Sequence, residues 1–252
     1  MKLIHSFNLD ALQAGIAIND DVPGHYYLLL DGALKPNLLR QLNKSGLPWL
    51  SVFTQNQDDL ADLMAVSPLL LEWTPPQWPV VCYLLAYCDG LPMVSVWHSP
   101  EPLPQLAARL QPWCVVNADG SFFNLRYPDT RRLYDLDGIL DEEQRGQFFG
   151  PAWRCLLPSR DGTGWQALHM ATVAGEFAEK VVLSTSQTSQ LIRAAETDEI
   201  LYQLQFHSRI NPHVLADCHP MAEAALRQAD AQGIMDSHLR MNQCLAAIHS
   251  SN

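Results

Sequence analysis

Short apolar runs closed by turn signals fill the first part of the chain, and they limit the fold more than any other feature. Tyr26-Tyr27-Leu28-Leu29-Leu30 stops at Asp31-Gly32, and Leu69-Leu70-Leu71-Glu72-Trp73 stops at Pro75-Pro76. Trp49 to Phe53 and Met93 to Trp97 have the same character. Such runs predict buried strands. Helices are expected between them. Pro36 suits the first turn of one through Leu42, Asp58 to Met64 is a short acidic one, and Gln105 to Leu110 follows Pro100, Pro102 and Pro104. Trp78 to Tyr87 reads as a buried helix, with strand left open by Val80-Val81. Trp113 to Val116 and Phe122 to Leu125 flank Asp119-Gly120, a hairpin signal. Trp153 to Leu157 and Trp165 to Val173 are further strand candidates.

After Ser184 the character changes. Ser186 to Ala195, Asp198 to Ile210, Met221 to Gln232 and Asp236 to Ile248 read as helices, with Gly233 as a C-cap between the last two. The expected fold is α/β of the α+β kind. A mixed α/β lobe over 1–175 carries the antiparallel hairpin, and a smaller all-helical lobe spans 176–252, with the boundary near Ala174-Gly175-Glu176.

Composition narrows the function classes. The 27 acidic residues outnumber the 16 basic ones, for a net charge of -11. Nucleic acid and anionic membranes both need a dense Lys/Arg footprint, so neither is an expected partner. The longest apolar run, Val80 to Tyr87, is far short of a membrane span. Ser6, Asn8, Asp10 and Gln13 interrupt any leader-like apolar stretch. The six cysteines form no C-x-x-C pair, as expected of reduced thiols in the cytoplasm.

Several constellations bear residue types that can carry chemistry. Asp161-Gly162-Thr163-Gly164 lies between strand candidates, so it reads as a turn rather than a phosphate loop. His207, His213, Cys218 and His219 carry zinc-compatible donors, but their spacing matches no finger or ribbon. Cys155 and His169 could form a thiolate–imidazole pair, with Asp129 or Asp161 as orienter; a buried inert thiol is the competing reading. The acidic clusters, including Asp58-Asp59 and Glu196 with Asp198-Glu199, suit helix starts. In Arg126-Tyr127-Pro128-Asp129-Thr130-Arg131-Arg132, three arginines bracket one aspartate directly after a strand. This is either a carboxylate clamp or an internal Arg–Asp cluster that fixes the turn; the internal cluster is the favoured reading. No cofactor, metal or catalytic residue is expected.

The order of five segments resembles the type VI secretion effector adaptors, also called effector chaperones. Tyr27 to Ala33, with Asp31, is similar to their opening strand, and Ser67-Pro68-Leu69-Leu70-Leu71 to their small-Pro-apolar strand. Phe123 to Arg131 resembles their strand followed by Arg, aromatics and Asp-Pro-Arg. Here that triplet is Asp129-Thr130-Arg131 with the proline at 128, so the charges of Arg126, Asp129 and Arg131 are kept. Phe148-Phe149-Gly150-Pro151 matches the aromatic-Gly-Pro step, and Leu183-Ser184-Thr185-Ser186-Gln187 the helix start that follows. The resemblance implies a non-enzymatic cytoplasmic adaptor of a Gram-negative bacterium. Its partners would be a toxic effector and the valine-glycine repeat spike (VgrG). The competing expectation is a small hydrolase or thiol enzyme using Cys155 and His169, or a zinc protein. Candidate partner contacts are Trp73 and Trp78 beside the Pro-Pro turn, and Met235, Leu239, Leu245 and Ile248 in the last helix region.

Overall fold

The computed structural model describes residues 2–17, 22–53 and 61–250. The acidic pair Asp58-Asp59 lies outside the described residues. The first part of the chain runs α1 (Leu9–Ala17), β1 (His25–Asp31), α2 (Leu38–Ser45), β2 (Trp49–Ser51), α3 (Ala61–Ala65), β3 (Pro68–Trp73), α4 (Trp78–Cys88), β4 (Val94–Ser99) and α5 (Leu103–Leu110). Then come β5 (Val115–Ala118), β6 (Ser121–Asn124), α6 (Thr130–Ile139), α7 (Glu142–Phe149), β7 (Arg154–Pro158), β8 (Trp165–Ala167) and β9 (Val182–Leu183). Three helices close the chain: α8 (Thr185–Phe206), α9 (His219–Ala231) and α10 (Ser237–Ser250).

The apolar runs become a six-stranded antiparallel sheet in the order β2-β3-β1-β4-β7-β8. β1 lies between β3 and β4, with Leu28 opposite Leu71 on one side and Val96 on the other. Side chains alternate across a strand. Tyr27 and Leu29 therefore enter one core with Trp97, Trp113, Phe148 and Cys155, while Tyr26, Leu28 and Leu30 enter a second with Trp73, Leu84 and Val96. Both faces are covered, which is why the β1 run shows no polar alternation. Each fully buried Leu side chain here contributes on the order of 2 kcal/mol.

The hairpin forms at Asp119-Gly120, with Ala118 opposite Ser121. Its β5 strand also pairs in parallel with β9, a two-residue strand that lies past residue 175 and brings Leu183 into the first core. A third cluster belongs to α8, α9 and α10 and holds Leu201, Leu204, Leu226, Cys244 and Ile248.

The expected pair of helices over Ser186–Ile210 is one helix, α8. Glu196, Asp198 and Glu199 do not mark a helix start: the Glu196 and Asp198 carboxylates are held in mid-helix by arginines from elsewhere in the chain. The true start is Ser184, which forms a reciprocal capping box with Gln187. The candidate strand Trp165–Val173 ends at Ala167, and the helix expected from Pro36 begins at Leu38 after Asn37, whose φ is 63°.

Candidate functional site

The Arg126–Arg132 segment is the turn from β6 into α6, and two of its three arginines do not serve the aspartate between them. Arg126 has φ 47° and reaches back to β1, where its Nη2 donates to Asp31 Oδ2 at 2.7 Å. Asp129 caps α6 by accepting from the Arg131 backbone N–H at 3.1 Å. The same carboxylate takes the Arg131 fork, Nε at 2.9 Å and Nη2 at 2.7 Å. Arg132 leaves the turn for α8, donating from Nη2 to Asp198 Oδ2 at 2.7 Å. The single Arg–Asp cluster expected from the sequence is therefore two pairs, Arg126 with Asp31 and Arg131 with Asp129, of which the second reaches a hub at Asp198.

Asp198 is the acceptor that connects the parts. Arg160, just past β7, places Nη1 at 2.7 Å and Nη2 at 2.9 Å from its two oxygens, and Arg131 Nη1 stands 3.6 Å away. Burial pushes the Asp198 carboxyl up, but the guanidinium groups of Arg160, Arg131 and Arg132 outweigh it and hold it well below the usual range. Asp135 behaves in the opposite way. Its Oδ2 lies 2.9 Å from Arg132 Nη1, but neither atom has a hydrogen-bond partner. Burial then dominates over Arg132 and pushes the Asp135 carboxyl up to about 6. Asp31 is also raised by burial, against the opposing Arg126 charge.

Beside the hub is a cleft of about 290 Å3 lined by Thr130, Arg131, Tyr134, Ser159, Arg160 and Gln166, among others. Its two guanidinium groups are already matched by Asp129 and Asp198, so it holds little free positive charge for an anion. The Ser159 hydroxyl is tied into the following turn, donating to Gly164 O at 3.0 Å.

A second buried network braces the Phe148-Phe149-Gly150-Pro151 step. Arg109 forks onto Glu101 and donates from Nη1 to the carbonyls of Gln147 and Gly175, each at 3.0 Å. Gly150 has φ 55°, and a Cβ there would stand 2.3 Å from Arg109 Nε. Only glycine combines that backbone with that approach. Nothing singled out Arg109 or Glu101 in the sequence; the signal available was Glu101 between two prolines and Arg109 on an otherwise apolar helix face.

The two catalytic candidates lie on neighbouring backbone, Leu168 N donating to Cys155 O at 2.9 Å, but their side chains sit in opposite surroundings. The Cys155 thiol is fully buried on β7, and burial with the Asp137 charge pushes its pKa well above the usual value. The His169 ring is 88% exposed and its Nδ1 is bound to Asp137 Oδ2 at 2.8 Å. The four zinc candidates also separate. His213 and Cys218 line one groove, His219 is half-buried within the electrostatic reach of Arg160 and Asp198, and His207 packs edge-on against Phe206. Among the described residues, no group of three or more His, Cys, Asp or Glu side chains is placed to hold a metal ion.

Of the candidate partner contacts, Trp73 and Ile248 need correction. Trp73 is 2% exposed between Tyr26 and Trp78, and Ile248 is 2% exposed in the helical core, so neither presents area to a partner. The alternation of β3 turns Trp73 inward despite the neighbouring Pro-Pro turn. Trp78 and Leu245 are half-buried, whereas Met235 and Leu239 are exposed. Pro68 begins β3, and Pro151 follows Gly150 at the end of α7.

Residues 26–147 match the family model described as "Domain of unknown function (DUF4123)". This family is associated with type VI secretion effector adaptors. The matched stretch runs from β1 into α7 and holds Asp31, Pro68, Arg126, Asp129 and Arg131, while Gly150, Pro151 and the hub Asp198 lie beyond it. The chain is also similar to the large ribosomal subunit protein mL55 of Bos taurus, 44% identical over 48 residues. That stretch is 18% of this chain and 38% of that protein. No solved structure matches. Among the described residues, no helix is long and apolar enough to cross a membrane.

Proposed function

We propose that this chain is a non-enzymatic adaptor, which binds a cognate type VI secretion effector in the cytoplasm and delivers it to the VgrG spike. The observation that carries the reading is the DUF4123 match over 26–147, which contains three of the five ordered segments. The Arg126–Asp31 pair gives two of those segments a physical reason to occur together, because it locks the β6–α6 turn onto the end of β1. The site chemistry supports the same reading. Its arginines and aspartates neutralise one another, and the Cys155 thiol is buried while the His169 ring is solvated and bound to Asp137.

The test looks for a spike gene and a toxin gene beside the gene for this chain, and combines the purified products with it. Expected is a complex of chain, effector and spike on size-exclusion chromatography, and spike loading that fails when the chain is omitted. Binding to neither protein would overturn the reading, as would loss of secretion in Cys155→Ala protein that still binds both.

A further inference from the structure

A groove of about 660 Å3 lies between α8 and the approach to α10. α8 lines it with Ser189, Ile192, Arg193, Glu196 and Glu199, a spacing that puts these side chains on one helix face. The facing wall includes Asp230, Met235 and Arg240. Met235 is 80% exposed and Ile192 67%. Both side chains line the same depression and leave their apolar area exposed there. The base of the groove is fixed. Arg240 is nearly buried, forks onto Glu196 at 2.5 and 2.6 Å, and holds Asp230 Oδ1 at 2.7 Å.

The charge around the groove favours one kind of occupant. Three carboxylates, Glu196, Glu199 and Asp230, face two guanidinium groups, Arg193 and Arg240. Arg240 is enclosed and shared between two of those carboxylates, so the accessible rim keeps Glu199 and the outer part of Asp230, with Arg193 as its exposed cation. We propose that this groove receives one amphipathic helix of a partner protein, whose apolar stripe is flanked by Lys or Arg. The apolar stripe covers Ile192 and Met235, and the basic flank meets Glu199 and Asp230. A methionine wall adapts to partners that differ in detail. A second copy of this chain fits less well. A two-fold contact would set each acidic rim against its equal, on a chain of net charge -11.

This inference rests on the adaptor reading only in expecting a protein partner, and its test needs no effector or spike. The full chain, carrying 13C-methyl methionine, is titrated with a synthetic helix of about 16 residues that has leucines on one stripe and lysines beside it. A second peptide has glutamates in place of the lysines. Expected is a shift of the Met235 methyl resonance with the lysine peptide, and binding weaker by about tenfold with the glutamate peptide. Ile192→Ser and Glu199→Gln, both at exposed positions, should each weaken the lysine peptide with an unchanged melting temperature. An unmoved Met235 signal, equal affinity for the two peptides, or variants that bind like the parent would overturn the proposal. So would a concentration-dependent dimer that Ile192→Ser abolishes, which would assign the groove to a second copy. Failure to form an effector–spike complex would count against the adaptor reading and leave the peptide result standing.

Discussion

Arg126 donates to the Asp31 carboxylate at 2.7 Å across a sequence separation of 95 residues, and the two ends of the pair differ sharply in exposure. The Asp31 side chain is almost fully buried at the end of β1, while the Arg126 side chain is 44% exposed. The carboxylate therefore depends on this cation more than the cation depends on it. Arg126→Ala should destabilise the fold by roughly 1–2 kcal/mol near neutral pH, a value reduced for the solvent that screens the arginine. Asp31 already titrates above the usual range because of burial. A group raised in the folded state favours folding at low pH and loses that contribution as pH rises through its folded pKa. The cost of Arg126→Ala should thus shrink in acid, where a protonated Asp31 needs no counterion. Urea melts of both proteins near pH ~4 and ~7 check this; an equal loss at the two pH values would refute it.

Gly150→Ala should be among the most damaging single-methyl additions in this chain. The new Cβ would sit 2.3 Å from Arg109 Nε, on a backbone with φ 55°. Either Arg109 leaves Glu101 or α7 shifts at its end. The expected cost is about 2–4 kcal/mol, combining left-handed strain with a disturbed buried ion pair. Thermal unfolding measures it, and a loss below about 1 kcal/mol would show that the Arg109 site yields easily.

Much of the sheet is legible in the sequence because its cause is local. Tyr26 to Leu30 is buried on both faces, so its uniform apolar character names a strand, and Asp119-Gly120 names the hairpin of the separate three-stranded sheet. Ser184 and Gln187 likewise mark the start of α8 through their capping box. What stays hidden is whatever needs a distant partner. Glu196 and Asp198 look like helix-start acids until Arg240 and Arg160 arrive from elsewhere in the chain. The same holds for Arg126, whose acceptor is Asp31 rather than the nearby Asp129. β9 has only two residues, too few for any pattern, and forms because β5 offers it a free side. Trp73 and Ile248 look suited to a partner by residue type, but their burial is decided by packing.

Cys155 should behave as a core residue. Its thiol is fully buried and its pKa is pushed well above the usual value, so the thiolate is disfavoured. Cys155→Ala should cost on the order of 1 kcal/mol, and labelling of Cys155 by a thiol reagent should require unfolding. Rapid modification of Cys155 in native buffer, mapped by peptide mass, would contradict this placement. His169→Ala should change stability by less than about 0.5 kcal/mol, because its ring is almost fully solvated.

Asp135 and Asp198 lie in one arginine network and should pull the pH dependence of stability in opposite directions. Asp135 is raised to about 6, so the contribution of its protonated form is complete below the ordinary carboxylate range and fades as pH rises toward neutrality. Asp198 is lowered, so its contribution is present above the ordinary carboxylate range and is lost as pH falls below it. Relative to Asp135→Asn, the parent should therefore gain stability from pH ~7 to ~5, the opposing loss from His219, held below its usual value by burial, being common to both; relative to Asp198→Ala it should lose stability below ~4. Asp135→Asn removes the first limb, and at neutral pH it should stabilise by on the order of 1 kcal/mol, since a neutral amide replaces a poorly bonded buried charge. Asp198→Ala removes the second limb. It should cost roughly 3 kcal/mol at neutral pH, because Arg132 and Arg160 both lose their acceptor and α8 loses its tie to α6. Chemical denaturation of the three proteins from pH ~3 to ~8 follows both limbs. An Asp135→Asn protein that is less stable than the parent near neutrality would show that the Arg132 contact outweighs burial at that carboxylate.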